Sequence, residues 1–176
     1  VQVFFLTRMP SPKIILQAFA EVKPSLVIAV PLIIEKIIKK NVLPKLETPT
    51  MKFLMHVPLV SDKIKEKVRE QLMNAFGGEF YEIVVGGAAF NQEIEAFMRS
   101  IDFPYTVGYG MTECAPLICY EDWKKFKAGS CGKAVGRMEV KVLSADPQNI
   151  PGEIICRGDN VMLGYYKNEE ATKEVL

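Results

Sequence analysis

The chain has 176 residues, of which 49% are hydrophobic and 24% charged, and its formal net charge is +1. A chain of this size can bury roughly 70% of its unfolded surface, so a real core is expected, and the composition is that of an ordinary globular protein. No basic stripe interleaves with aromatics, which excludes a nucleic-acid surface. The longest apolar stretch, residues 26–38, contains Pro31 and Glu35 and falls short of the ~20 residues a membrane-spanning helix needs.

In chain order, Ser11-Pro12 has the signature of an N-cap followed by proline at the first helical position. Ile15, Ala18, Phe19 and Val22 recur at helical spacing, and Pro24 closes the run. Residues 26–30 are apolar and rich in β-branched side chains, which predicts a buried strand. Pro31 opens a second helix with Ile33, Ile34, Ile37 and Ile38 on its apolar side, and Lys39-Lys40 complement the dipole of its last turn. Residues 53–60 fit either a short strand or a loop. Ser61-Asp62 then predicts the cap of an amphipathic helix whose buried stripe is Ile64, Val68, Leu72 and Phe76, with a solvated charged face and Gly77-Gly78 as its stop.

Tyr81-Glu82-Ile83-Val84-Val85 predicts a strand, Asn91 caps a helix from Gln92 to Arg99 with Glu93 in its acidic first turn, and Tyr105-Thr106-Val107 predicts another strand. Strands joined by crossover helices imply an α/β fold, a mostly parallel sheet with helices on both faces, over residues 1–128. From about Gly129 the pattern changes. Glu139-Val140-Lys141-Val142-Leu143 and Glu153-Ile154-Ile155-Cys156-Arg157 alternate polar and apolar around the turn signals Asp146-Pro147 and Pro151-Gly152. Residues 129–176 are therefore expected to begin a small antiparallel β subdomain, without a helix and truncated at its end.

Cys114, Cys119, Cys131 and Cys156 show no C-x-x-C spacing, and His56 is the only histidine, so the pattern predicts buried thiols rather than a metal site. The start, Val1-Gln2-Val3, has neither the basic region nor the cleavage site of a signal peptide, and both ends are expected to be cuts from a longer chain.

Two glycine-rich turns follow apolar strands: Gly86-Gly87-Ala88-Ala89 and Gly108-Tyr109-Gly110-Met111-Thr112-Glu113. At the carboxyl ends of parallel strands, small residues let a flat ligand approach the backbone, and a tyrosine offers a stacking face. Adjacent hydroxyl and carboxylate groups, Thr112 and Glu113, suit a phosphate oxygen and Mg²⁺. The second turn is neither G-x-G-x-x-G nor a Walker loop. On spacing alone, a nucleotide–magnesium site and a pair of purely structural turns stand as alternatives.

Gly108-Tyr109-Gly110-Met111-Thr112-Glu113 resembles the central signature of the adenylate-forming superfamily of acyl-CoA synthetases, luciferases and peptide-synthetase adenylation domains. Val85-Gly86-Gly87-Ala88-Ala89 resembles that family's adenine-contacting turn, and Gly129-Ser130-Cys131-Gly132-Lys133 its G-S-x-G-K/R turn. The block Gly152-Glu153-Ile154, Arg157-Gly158, Met162-Leu163-Gly164-Tyr165-Tyr166 and Glu170-Ala171-Thr172 also fits, in family order. That block is most similar to bacterial long-chain fatty acid–CoA ligases.

The resemblance implies that the backbone of Gly87, Ala88 and Ala89 approaches the adenine or the acyl adenylate and that Tyr109 stacks on the adenine, with Gly110 and Met111 in the same nucleotide-binding turn. It implies that Thr112 bonds a phosphate oxygen and Glu113 binds Mg²⁺, the two being the catalytic residues. The implied reaction joins a fatty acid or other carboxylic acid to coenzyme A through an acyl adenylate at the expense of ATP. It places the parent enzyme in the cytoplasm, without a transmembrane segment and compatible with peripheral membrane contact.

The family's phosphate loop is expected before Val1, and its T-G-D segment and C-terminal lysine after Leu176; Lys133 and Lys173, the latter in a helix or loop after the motif, do not replace that lysine. The isolated chain is accordingly expected to be inactive and to bind nucleotide only weakly, at about 1 mM or worse. The alternatives are an adenylation domain or ligase for another carboxylic acid, a non-catalytic nucleotide-binding module, and an inert folded unit. His56 reads as structural, Trp123 as a loop residue pinned to the core, and Met111 and Met162 as packing residues beside the site.

Overall fold

The computed structural model describes residues 2–5, 7, 11–54 and 57–176. The chain divides into two units, residues 1–106 and 107–176. The first opens with α1 (Pro12–Val22), where the Ser11 hydroxyl accepts from the Ile14 amide at 3.3 Å and Pro12 occupies the first turn. Strand β1 (Leu26–Ala29) leads to α2 (Pro31–Asn41), whose Ile34, Ile37 and Ile38 are buried at i, i+3, i+4 spacing. Short helices α3 (Leu43–Leu46) and α4 (Pro49–Leu54) follow.

Helix α5 (Pro58–Ala75) starts earlier than the Ser61-Asp62 signal predicts. Pro58 at the first helical position is already set for helical φ, so Ser61 lies buried inside the helix rather than capping it. Where a short strand or a loop is expected over residues 53–60, Phe53 and Leu54 are helical and Pro58 begins α5, while residues 55 and 56 lie outside the described residues. His56 lies outside the described residues. Leu72 and Phe76 are buried, whereas Ile64 and Val68 are half-buried.

Strand β2 (Glu82–Val85), helix α6 (Gln92–Ser100) and strand β3 (Tyr105–Val107) complete the α/β arrangement. Asn91 Oδ1 caps α6, accepting from the amides of Glu93 at 3.0 Å and Ile94 at 3.1 Å. The strands form a parallel sheet of order β1-β2-β3, with Leu26 paired to Glu82 and Ala29 to Val85. Ile83 and Val85 are buried, as are Ile94 and Met98 of α6. Beside them Phe76 sits 5.6 Å from Phe19 and 6.1 Å from both Phe80 and Phe103, ring centre to centre. Strand β1 departs from the buried strand expected: Val27 is buried, but Leu26 and Ile28 are exposed, Ile28 at 76%. It is an edge strand with one face covered inside this unit.

In the second unit, β4 (Tyr109–Gly110) pairs antiparallel with β5 (Leu117–Tyr120), which pairs with β6 (Lys133–Ala134). Between β4 and β5 runs a 3₁₀ turn, Thr112–Cys114. Because β5 and β6 pair across it, the compositional boundary at 128/129 falls inside this unit. Strands β7 (Met138–Leu143) and β8 (Glu153–Gly158) form the antiparallel hairpin that the alternation predicts. Beside these strands the unit contains α7 (Glu169–Val175), with the Asn168 side chain accepting from the Ala171 amide; of the helix or loop that Lys173 could occupy, the helix is the one formed. Cys114, Ile118 and Met138 are the buried centre of the unit, flanked by Tyr109, Met111, Cys119, Val140, Cys156 and Val161. Among the described residues no helix is long and apolar enough to cross a membrane.

Candidate active site

The turn after β2 belongs to the first unit. The Gly86 amide bonds the Ala29 carbonyl at 3.1 Å, holding the strand ends together. Gly87 follows with φ +87°, a left-handed conformation that glycine adopts without a Cβ penalty. Gly87, Ala88 and Ala89 are exposed at the carboxyl end of the parallel strand, the end at which such sheets present ligands.

The second turn is built differently from the sequence expectation. Tyr109 and Gly110 are a strand of an antiparallel sheet, not a free loop. A Cβ at Gly110 would lie 2.0 Å from the Pro116 carbonyl oxygen, so the missing side chain makes room for the protein's own backbone. Tyr109 and Met111 pack in part on the buried cluster of this unit. The Met111 amide bonds Pro116 O at 2.8 Å, the Cys114 amide bonds Met111 O at 3.0 Å, and Ala115 closes the turn with φ +53°. Thr112 is left exposed and Glu113 half-buried on this tight 3₁₀ turn.

Glu113 is held by residues that the sequence reading did not single out for the site. The Tyr165 hydroxyl donates to Glu113 Oε1 at 2.6 Å, a short charge-assisted bond. That bond is the main cause holding the Glu113 carboxyl below its ordinary pKa, assisted by its own backbone amide; reciprocally, the carboxylate pushes the Tyr165 phenol up. The Met162 amide bonds the Glu113 carbonyl at 2.7 Å. The Asn160 side-chain amide donates to the carbonyls of Cys114 and Leu117, the latter at 3.0 Å.

Tyr165 is itself fixed. Its amide donates to Thr172 Oγ1 at 2.9 Å, and the Thr172 hydroxyl donates to the Asn168 carbonyl at 2.7 Å. A Cβ at Gly164 would meet the Thr172 methyl at 2.9 Å. The spacing of Gly164, Tyr165, Asn168 and Thr172 in the sequence is therefore the spacing of one interlocked corner. The motif spanning Gly164 to Thr172 is the local signal that these residues belong together; the contact with Glu113 joins positions 52 residues apart and leaves no such signal.

Other expectations resolve without a role in the site. Lys133 pairs with Glu121 at 3.0 Å. All four cysteines are free, but Cys131 is exposed, contrary to the expectation of uniformly buried thiols, because it lies in the loop before β6. Trp123 is half-buried in a turn, with Lys124 Nζ 5.9 Å from its ring centre. Among the described residues no group of three or more His, Cys, Asp or Glu is gathered at one place. Glu113 is the carboxylate on this turn that could hold a cation together with oxygens of the cation's own ligand. This suits Mg²⁺, which takes one or two carboxylates together with phosphates. The short bond to Tyr165 leaves Glu113 Oε2 without a side-chain partner among the described residues.

The AMP-binding enzyme family model matches residues 1–166. The 4-coumarate-CoA ligase 1 of Narcissus pseudonarcissus is 33% identical over 132 residues, covering 68% of this chain and 24% of that protein. The long-chain-fatty-acid–CoA ligase 1 of Saccharomyces cerevisiae is 28% identical over 127 residues, covering 69% of this chain and 18% of that protein. The chain thus spans about a quarter of the length of the curated relatives it matches, or less. Its fold is similar to that of an o-succinylbenzoate coenzyme A synthetase from Bacillus subtilis solved with ATP and magnesium ion. The TM-score is 0.62 at 21% identity, covering 94% of this chain and 29% of that one. The anthranilate CoA ligase AuaEII, in complex with anthranoyl-AMP, gives 0.65 at 14% identity, covering 93% and 27%. With the family model matching nearly its whole length, the chain belongs to the AMP-binding enzymes of the adenylate-forming superfamily.

Proposed function

We propose that the chain is part of an ATP-dependent acid–CoA ligase and carries its nucleotide- and magnesium-binding turn. The observation that carries this reading is the Thr112-Glu113 turn, on which the Thr112 side chain is exposed and an ionised carboxylate is held in place by the Tyr165 phenol. In this reading Glu113 ligates Mg²⁺, which neutralises phosphate charge, and the Thr112 hydroxyl bonds a phosphate oxygen. Within the second unit, Tyr109 offers the face on which the adenine stacks.

The substrate carboxylate attacks the α-phosphorus of ATP and pyrophosphate leaves; the thiol of coenzyme A then attacks the acyl adenylate and AMP leaves. The chain's own residues contribute alignment and charge stabilisation rather than covalent chemistry.

Within this reading the acid is a long-chain fatty acid and the enzyme works in the cytoplasm. The block from Val161 to Thr172 and the similarity to the yeast fatty-acid ligase support the fatty acid. The similarity to plant 4-coumarate ligases supports a second reading, an aromatic acid.

ATP–pyrophosphate exchange by the full-length protein, with long-chain fatty acids, hydroxycinnamic acids and amino acids in parallel, separates these readings. Exchange with fatty acids alone supports the first, and exchange with hydroxycinnamic acids replaces it by the second. Exchange with amino acids alone overturns the acid–CoA ligase reading, and exchange with none of these acids overturns both substrate readings. The 176-residue chain by itself is expected to form no acyl-CoA.

A further inference from the structure

We propose that Tyr165 is a positioning residue for the metal-binding carboxylate: it occupies Glu113 Oε1 and so turns Oε2 toward the cation. The inference rests on the reading of Glu113 as the magnesium ligand. Three contacts from one short segment converge on the acidic turn. The Asn160 amide holds the carbonyls that follow Glu113, the Met162 amide holds the Glu113 carbonyl, and the Tyr165 phenol holds the carboxylate itself. The first two fix the backbone and the third fixes the side-chain torsion.

A carboxylate on a tight turn would otherwise rotate, and ordering it would weaken cation binding. A phenol already bonded to one oxygen removes that freedom before the cation arrives. The phenol is in turn set by the corner around Thr172, where the Tyr165 amide and Asn168 carbonyl meet one hydroxyl. Groups that orient a ligating side chain from behind typically alter metal affinity by 10- to 100-fold, roughly, when removed.

The test is Mn²⁺ binding to the full-length ligase in the presence of α,β-methylene-ATP, followed by the loss of the free-ion electron paramagnetic resonance signal. Tyr165→Phe, Thr172→Val and Glu113→Gln are compared with the unaltered enzyme. Tyr165→Phe is expected to raise the Mn²⁺ dissociation constant about tenfold, and Thr172→Val to raise it by less, since the phenol remains. In steady state the KM for the carboxylic acid stays unchanged while the Mg²⁺ requirement rises, a split that general damage to the fold would not produce.

An unchanged constant in Tyr165→Phe beside a raised one in Glu113→Gln overturns the positioning role alone. An unchanged constant in Glu113→Gln overturns the metal assignment beneath it. Should Tyr165→Phe not fold, Thr172→Val decides: a raised constant supports the role and an unchanged one overturns it.

Discussion

Gly110 and Pro116 face each other so closely that a Cβ on the glycine would stand 2.0 Å from the proline carbonyl oxygen. The contact joins the strand entering the acidic turn to the strand leaving it, and the Met111 amide bonds that same oxygen at 2.8 Å. The obstacle is backbone, which cannot swing aside as a flexible side chain would. Gly110→Ala is expected to destabilise the second unit by about 1–3 kcal/mol, as overpacking does, and to lower the melting temperature by several degrees. Gly136→Ala is the control: nothing lies within 4 Å of a Cβ there, so its change stays within about 0.5 kcal/mol. Equal melting temperatures for the two variants would show that the hairpin relaxes around the added methyl.

The Cys114 and Cys156 sulfurs lie 3.5 Å apart, both as free thiols. Burial first, then the hydrogen bond and charge of Cys156, then the Glu113 charge, push Cys114 up to about 11. The thiolate is the reactive form, so at about pH 8 a thiol with this pKa ionises roughly two hundredfold less than one near the ordinary ~8.5. Iodoacetamide labelling followed by peptide mass spectrometry is expected to find exposed Cys131 modified first and Cys114 last. Early labelling of Cys114 would mean that this part of the unit opens readily.

Asp146 anchors the turn between β7 and β8. Its Oδ2 accepts from the Asn149 side chain at 2.7 Å and its Oδ1 from the Gln148 amide at 3.2 Å. These bonds, led by Asn149, hold its carboxyl below the ordinary value. The folded-state pKa is depressed, so the stabilisation is present above the unfolded value near ~4 and is lost as pH falls through the depressed one. Asp146→Ala is therefore expected to melt below the unaltered chain at about pH 7, with the gap closing toward about pH 2. A gap independent of pH would mean that the carboxylate charge contributes nothing.

In the first unit Phe76 is 1% exposed and contacts three other rings, while Phe53 is 72% exposed. Phe76→Ala removes buried surface and leaves a cavity, for an expected loss of about 3–5 kcal/mol. Phe53→Ala is expected to change stability by no more than about 0.5 kcal/mol. Urea unfolding of both variants measures the difference, and comparable losses would contradict the assigned core.

The sequence by itself determined the elements whose signals are local. Ser11-Pro12 and Asn91 announced helix starts, the isoleucines of α2 announced a buried face, and the alternation at residues 139–143 and 153–157 announced a hairpin, because capping and periodicity act over a few residues. Local signals misled where a stronger one stood nearby: Pro58 starts α5 ahead of the Ser61-Asp62 pair. The family motifs marked out the two glycine-rich turns and the segment around Tyr165.

Only the tertiary structure decided what those residues touch. Gly110 makes room for Pro116 rather than offering only an open surface, Ile28 is left uncovered on an edge strand, and the Tyr165 phenol rests on Glu113, 52 residues away in the chain. Spacing fixes which side chains share a helix or strand face. A contact between distant positions depends on how the intervening elements pack, and no local period encodes that.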